Sequence, residues 1–172
     1  MELENLVFVS CEPYPEIGEL RQNPCYAGAM LDNVGGVNSE MSAICQYLAN
    51  HWYLDGQCDL VSTIFEQLAK VEMQHLDLFA TLAERLGETA RLWTNTGNGK
   101  RYWSPCYTSY QTNPCQMVEA ALKGEYEAIK KYQVQINCID NEIVQACLTR
   151  VIADEELHVE LLKALLAKLS EE

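Results

Sequence analysis

An acid and an imidazole interrupt an apolar helical stripe in KVEMQHLDLFATLAERL, residues 70–86. Positions spaced alternately by four and three residues carry Val61, Phe65, Leu68, Glu72, His75, Phe79, Leu82 and Leu86, which is the pattern of a helix with one core-facing side. A carboxylate taken unpaired into an apolar interior costs several kcal/mol. Glu72 therefore needs a proton, an opposite charge or a metal ion beside it.

The same pattern returns near the C-terminus. There ADEELHVELLKALLAKL (153–169) aligns with residues 70–86 and keeps the Glu-x-x-His motif. Its stripe consists of Val144, Leu148, Val151, Glu155, His158, Leu162, Leu165 and Leu169. The upstream segments match as well, since SEMSAICQY (39–47) aligns with GEYEAIKKY (124–132). The chain is therefore an internal repeat of two halves.

Each half carries a glutamate on its first helix, a tyrosine seven residues later, and Glu-x-x-His on its second helix. The stripes of the two first helices are Val37, Glu40, Ile44, Tyr47 and His51 in one half, and Val118, Leu122, Glu125, Ile129, Tyr132 and Ile136 in the other. All four helices are therefore predicted to turn one carboxylate inward.

Start and stop signals give the boundaries of these helices. Asn23-Pro24 and Asn113-Pro114 each place a capping side chain before a proline suited to the first helical turn. The predicted helices span residues 24–54, 58–86, 114–138 and 142–170, and Gly35-Gly36 predicts an interruption or a close approach within the first. Residues 1–23 are predicted to form an extended arm, and residues 24–172 a single domain.

Short breaks join the helices of each half into an antiparallel hairpin. The segment between the hairpins, residues 87–113, is rich in glycine, asparagine and aromatic residues and is predicted to be non-helical. It is long enough to return along the second helix, so the expected fold is all-α, a four-helix bundle of two hairpins joined by a long crossover. Aromatic residues predicted to pack this crossover onto the helices are Tyr102, Trp103, Tyr107 and Tyr110.

Composition narrows the classes of function. Twelve basic and 25 acidic residues give a formal net charge of −13, which argues against nucleic acid and anionic membrane surfaces as partners. The eight cysteines contain no C-x-x-C pair, so neither a zinc knuckle nor a rubredoxin-type iron site is predicted. We recognise no signal peptide and no run of about 18 apolar residues, and therefore expect a reduced, cytoplasmic chain.

Glutamate and histidine three residues apart on a helix can both reach one ion in a bundle centre. A single such pair is more often a surface pair or a hydrogen-bonded core histidine, but two copies on core stripes favour metal. Oxygen-rich sites with some imidazole suit two iron or manganese ions. The predicted arrangement has Glu72 and Glu155 as bridging ligands, His75 and His158 closing one metal each, and Glu40 and Glu125 as terminal ligands.

The two repeated tyrosines, Tyr47 and Tyr132, lie on the same stripes as two of these glutamates. Two interpretations stay open: core aromatic residues whose hydroxyls bond anywhere nearby, or tyrosines beside the metals that contribute to catalysis through the ligands. His51 continues the first stripe and is interpreted as capping the end of the bundle.

Across residues 24–170 this constellation resembles the ferritin-like superfamily of dimetal carboxylate proteins, which implies a ferritin-like four-helix bundle. Within it, GGVNSEMSAICQYL (35–48) resembles manganese catalases and related spore-coat proteins, and the ADEELH segment (153–158) resembles rubrerythrins. Two features depart from rubrerythrins: the paired C-x-x-C motifs are absent, and Ala128 stands where those proteins carry a further glutamate.

The resemblance implies an enzyme, a dinuclear manganese or iron oxidoreductase that removes hydrogen peroxide by catalase or peroxidase chemistry. Its expected partners are a small oxidant, hydrogen peroxide or oxygen, and further copies of the chain in a homo-oligomer. Two alternatives remain: a ferroxidase or iron-handling protein, and a structural protein of the spore-coat type that retains the metal site. A spore-associated location would accompany the second alternative.

Overall fold

Five α-helices make up most of the computed structural model, which describes residues 6–171. Their bounds are Pro24–Gly35 (α1), Glu40–Leu54 (α2), Asp59–Arg85 (α3), Pro114–Cys138 (α4) and Glu142–Leu169 (α5). Helix α2 packs against α3, and α4 packs against α5, so each half forms a hairpin. The four-helix bundle with a long crossover is confirmed, with α1 and α2 together occupying the place of the first predicted helix.

The break between α1 and α2 lies at the predicted glycine pair. Gly35 ends α1, and a β-carbon added there would lie 2.3 Å from the backbone nitrogen of Trp93, so the crossover backbone approaches the helix closely. Helix α2 then begins at Glu40, after the capping residue Ser39, whose side chain accepts a hydrogen bond from the amide of Ser42. Val37 lies in the break and is 43% exposed, so its predicted place on the core stripe is wrong.

The crossover contains a small antiparallel β-hairpin that the sequence patterns did not reveal. Strand β1 (Trp93–Thr96) pairs with β2 (Gly99–Tyr102), and one turn of 3-10 helix follows at Pro105–Tyr107. Trp93 is the aromatic residue buried against the bundle. Tyr102 and Tyr110 are 62% and 79% exposed, so the prediction that they pack onto the helices is wrong.

Two apolar clusters lie on either side of a polar centre. One contains Phe79, Leu82 and Leu148, and the other contains Phe65, Leu68 and Leu162. The Glu-x-x-His motifs fall between these groups along α3 and α5. The apolar stripes therefore form the core as predicted, and they exclude water from both ends of the polar centre.

The N-terminal segment follows the outside of the bundle. Residues 6–23 contain no helix or strand, and residues 1–5 of the predicted arm lie outside the described residues. Leu6 and Phe8 pack against one apolar cluster, and Tyr14 and Ile17 pack against the other. Among the described helices, none has the length and apolar character that a membrane span requires.

Candidate metal centre

All six predicted ligand residues meet in the middle of the bundle. Each has at most 3% of its surface exposed, and they are Glu40, Glu72, His75, Glu125, Glu155 and His158. Glu40 opens α2, while Glu125 lies near the middle of α4, so both face the Glu-x-x-His motifs of α3 and α5. The two halves of the sequence repeat therefore contribute equivalent ligand residues to one centre, in an approximately two-fold arrangement.

The six side chains form two overlapping sets. One set is Glu40, Glu72, His75 and Glu155, and the other is Glu72, Glu125, Glu155 and His158. Within each set, one ligand atom from every residue lies within 4.8 Å of the others. Glu72 and Glu155 belong to both sets, which is the geometry expected of two bridging carboxylates, whereas Glu40 and Glu125 each belong to one.

His75 turns its Nδ1 atom toward the carboxylates. This nitrogen lies 2.8 Å from Glu72 Oε2 and 3.4 Å from Glu155 Oε1. The other ring nitrogen, Nε2, lies 3.2 Å from Asp154 Oδ2, outside the ligand set. Burial alone would lower the pKa of His75, but the charges of Glu155 and Glu72 outweigh it and raise that pKa well above its ordinary value.

His158 has the same orientation in the other half. Its Nδ1 lies 3.0 Å from Glu155 Oε2 and 3.2 Å from Glu72 Oε1. Its Nε2 lies 3.0 Å from the carbonyl oxygen of Phe8, which can only accept a hydrogen bond, so Nε2 carries a proton. Burial opposes a charge on this ring, but bonds to the facing carboxylates raise its pKa well above the ordinary value.

The carboxylates divide into two kinds. Burial, followed by the charges of neighbouring glutamates, raises the pKa of Glu40 and Glu125. Burial acts in the same direction on Glu72 and Glu155, but the two histidines reverse it and lower the pKa of both. Without metal, the environment therefore favours protons on the terminal glutamates and the histidines over protons on Glu72 and Glu155.

Buried polar atoms without hydrogen-bond partners indicate how the group fits metal. These atoms are Glu72 Oε1, both carboxylate oxygens of Glu155 and His158 Nδ1. None forms a hydrogen bond of good geometry, although His158 Nδ1 lies in ion-pair contact with Glu155 Oε2 and Glu72 Oε1. Leaving such an atom unpaired costs about 1–3 kcal/mol, and more when it is charged. A cation between the carboxylates would bind all four atoms, and oxygen ligands with imidazole suit iron or manganese. The residues present therefore fit a pair of such ions.

Tyr47 and Tyr132 each donate a hydrogen bond to a glutamate of the opposite half. The hydroxyl of Tyr47 donates to Glu125 Oε1, and that of Tyr132 donates to Glu40 Oε1. Burial, followed by the nearby carboxylate charges, raises the pKa of both tyrosines well above the ordinary value, so both hydroxyls keep their protons. The tyrosines thus orient the predicted terminal ligands, while their contribution to catalysis stays a prediction.

Asp154 is a buried residue of the site that the stripe analysis missed. It accepts hydrogen bonds from the backbone amide of Ser10 at 2.6 Å and from the hydroxyl of Tyr14 at 2.5 Å. Its Oδ1 also lies 2.6 Å from Arg150 Nη1. Burial would raise the pKa of Asp154, but these bonds and the one from His75 lower it below its usual range. The one available signal was the Arg150 and Asp154 pair at i, i+4.

The N-terminal segment closes the histidine side of the centre. Arg150 donates from Nε to the carbonyl oxygen of Glu12 at 2.6 Å and from Nη2 to that of Ser10 at 3.0 Å. Its guanidinium also lies 4.2 Å from the centroid of the Tyr14 ring. Together with the Phe8 carbonyl, these contacts hold both imidazoles in place and leave the carboxylate side as the open one.

Replacing Asp154 with asparagine should weaken metal binding without unfolding the chain. Asparagine keeps the shape and an acceptor oxygen but loses the charge that supports the His75 ring. Losing such a partner of a ligand typically costs roughly 10–100-fold in metal affinity. Competition with a chelator of known affinity measures the change. The exposed Asp77→Asn on α3 is the matched control, and an unchanged affinity in Asp154→Asn would contradict this role.

The third histidine and the cysteines lie outside the candidate metal centre. His51 contacts Ser62, with its Nδ1 2.9 Å from Oγ and 3.1 Å from the carbonyl oxygen, so it links α2 to α3 at the end of that hairpin. All eight cysteines are free thiols, and within residues 6–171 none belongs to a cluster able to hold a metal ion.

Comparisons with known proteins agree with this architecture. The family model described as "Ferritin-like domain" matches residues 36–171. No curated protein matches the chain. Among solved structures, the chain resembles KatB, a manganese catalase from Anabaena PCC7120, with a TM-score of 0.82 and 20% identity over 96% of this chain and 81% of that chain.

Two further solved structures have the same fold. A bacterioferritin from Rhodobacter capsulatus, described with a metal-free dinuclear site and haem iron, matches with a TM-score of 0.74 and 18% identity over 88% of this chain and 89% of that one. A ferritin-like, diiron-carboxylate protein from Bacillus anthracis str. Ames matches with a TM-score of 0.65 and 25% identity over 82% and 94%.

Proposed function

This chain belongs to the ferritin-like domain family, and from that premise we propose that it is a dinuclear iron or manganese oxidoreductase that removes hydrogen peroxide. The observation that carries the proposal is the pair of overlapping ligand sets sharing Glu72 and Glu155. Sharing two carboxylates would hold two ions side by side, as a small oxidant spanning both ions requires. The likeness to the manganese catalase KatB supports peroxide as the oxidant.

The chain's own residues have distinct tasks in this proposal. The six glutamates and histidines hold the ions, which would act as Lewis acids and as one-electron partners for peroxide. Tyr47 and Tyr132 keep their protons and orient the terminal glutamates. Asp154 and the Phe8 carbonyl hold the two imidazoles, so that Nδ1 of each faces the metals. Apolar clusters above and below exclude water from the two ends of the centre along the bundle.

The test combines metal analysis with a peroxide assay. Protein purified from its own host should contain two manganese or iron ions per chain, and the loaded protein should consume hydrogen peroxide. Oxygen evolution without added reductant would identify catalase chemistry, and dependence on a reductant would identify a peroxidase. A chain that binds two ions but turns over neither peroxide nor ferrous iron would overturn the enzyme proposal in favour of a structural role.

The ferroxidase or iron-handling alternative has its own support, because the chain shares its fold with a bacterioferritin and its donor set would also take ferrous iron. Oxidation of ferrous iron by oxygen, together with a particle large enough to be a cage, would favour it over peroxide removal. The homo-oligomer, the cytoplasmic location and the spore association stay predictions.

A further inference from the structure

The carboxylate side of the centre opens into a chamber of about 310 Å³. Helices α2 and α4 form its two long walls, and Tyr107 and Ser109 of the crossover form a third. Glu72 and Glu155 lie at its inner end, whereas neither motif histidine lines it. Exposed residues at its outer end include Asn38 and Lys123, so the chamber reaches the surface.

The volume exceeds what hydrogen peroxide needs. A water molecule occupies about 30 Å³ of liquid, and peroxide has only two heavy atoms, so the chamber of 310 Å³ could hold several molecules of that size. Pockets of roughly 300 Å³ and above are the size that proteins use for small organic ligands. The chamber is therefore large enough for a molecule with a carbon body.

Small residues form one stretch of the chamber walls, beside polar side chains that include Ser42, Gln46 and Glu127. Ala43 projects from α2, and Ala121, Gly124 and Ala128 project from α4. Gly124 is exposed, and a β-carbon added there would meet no atom within 4 Å, so a larger side chain can be accommodated at this edge of the chamber. This stretch of small residues gives a hydrocarbon group an apolar surface to pack against.

The Gln46 side chain of α2 holds the crossover wall in place. Gln46 Oε1 accepts hydrogen bonds from the backbone amide of Ser109 at 2.8 Å and from its hydroxyl at 3.1 Å. Gln46 Nε2 donates to the carbonyl oxygen of Ser109 at 2.9 Å. These three bonds hold the segment in position, so the chamber is bounded by a fixed wall rather than by an unattached loop.

The residues at the inner end of the chamber determine which polar group of a ligand could bind there. Glu72 and Glu155 lie at the inner end with the other carboxylates of the centre, and two divalent ions would offset these four negative charges. The loaded centre would then carry little net charge to attract an anionic head group. A neutral head that can donate a hydrogen bond is compatible with this end. An –OOH group is neutral, donates one hydrogen bond and has the oxygen–oxygen bond of the proposed substrate.

We propose that the chamber binds organic hydroperoxides, with the carbon body between Ala43, Gly124 and Ala128 and the –OOH group at the carboxylate end. This inference rests on the proposed peroxide function, which it extends from hydrogen peroxide to substrates with a hydrocarbon part. Such a substrate would be reduced to its alcohol and water, with two electrons and two protons from an external reductant such as a thiol. The carbon body gains free energy from burial along the small-residue walls, which hydrogen peroxide cannot gain.

Binding of 2-phenyl-2-propanol, the alcohol with the carbon body of cumene hydroperoxide, tests the chamber on the metal-loaded protein. Equilibrium dialysis should detect binding to the unmodified chain, and Gly124→Leu should lower the affinity at least about tenfold because a leucine side chain would narrow the chamber at this edge. Metal content and circular dichroism check that the variant is intact. Ala164→Leu, at an exposed position of α5, is the matched control and should bind as the unmodified chain does.

If Gly124→Leu fails to fold, Ala128→Val in the same wall replaces it. Absence of binding to the unmodified chain, or equal binding by an intact wall variant, would overturn the inference. The results distinguish a failure of the chamber proposal from a failure of the proposed peroxide function. Consumption of hydrogen peroxide without alcohol binding overturns the chamber alone, whereas wall-dependent binding without turnover of any peroxide overturns the function and, with it, the hydroperoxide as occupant.

Discussion

Replacing Glu72 with alanine is expected to remove metal from both positions of the centre and to abolish peroxide consumption. Glu72 belongs to both ligand sets, so its loss removes an oxygen ligand from each ion at once. The loss of activity should exceed the roughly 10–100-fold effect typical of a residue that only supports a ligand. Metal content per chain and the initial rate of peroxide consumption measure the result.

Two further variants make this experiment interpretable. Glu156→Ala changes an exposed glutamate beside the centre and should retain both metals and activity, because its side chain does not face the site. Glu72→Gln preserves the side-chain volume and replaces the alanine variant if that chain does not fold. Retention of two ions and full activity in either Glu72 variant would show that Glu72 does not bridge the metals.

Metal removal is expected to lower the thermal midpoint by several degrees. Metal-free protein gathers four buried carboxyl groups that repel one another, and burial and neighbouring charges raise the pKa of Glu40 and Glu125. Bound cations relieve this repulsion and bind only the folded state. One ion at 100 times its dissociation constant adds about 2.7 kcal/mol, which raises the midpoint of a domain this size by about 5 to 11 °C.

Thermal melts with and without chelator measure this difference, and melts after reloading show that it is reversible. Glu72→Ala is the control for direct effects of the chelator, because a chain that binds no metal should have the same midpoint in both conditions. Equal midpoints for the unmodified chain, with metal removal confirmed by analysis, would contradict metal binding at the buried acids.

The candidate ligands followed from the sequence because helical periodicity fixes which side of a helix each residue occupies. Glu72 and His75 fall on an apolar stripe, and the repeat places Glu155 and His158 at the equivalent positions. A buried acid needs compensation, so two such motifs predicted a shared centre. The structure buries all four side chains and brings them within reach of one another.

The crossover was predictable only as a non-helical connection. Gly35 predicted a break or a close approach, but nothing in its surroundings indicated that the backbone at Trp93 would be the neighbour. The aromatic residues at 102 and 110 look like packing residues in the sequence, yet they are exposed. Burial in an irregular segment depends on its path, and no periodic pattern records that path.

The sequence by itself determined the four helices, their pairing within each half and the six side chains of the centre, because these depend on local periodicity and on a repeat. Only the tertiary structure decided that the Phe8 carbonyl and Asp154 hold the two imidazoles, that each tyrosine bonds to a glutamate of the opposite half, and that the chamber opens on the carboxylate side. Those features join segments distant along the chain, and their contacts form only when the helices and the N-terminal segment pack together.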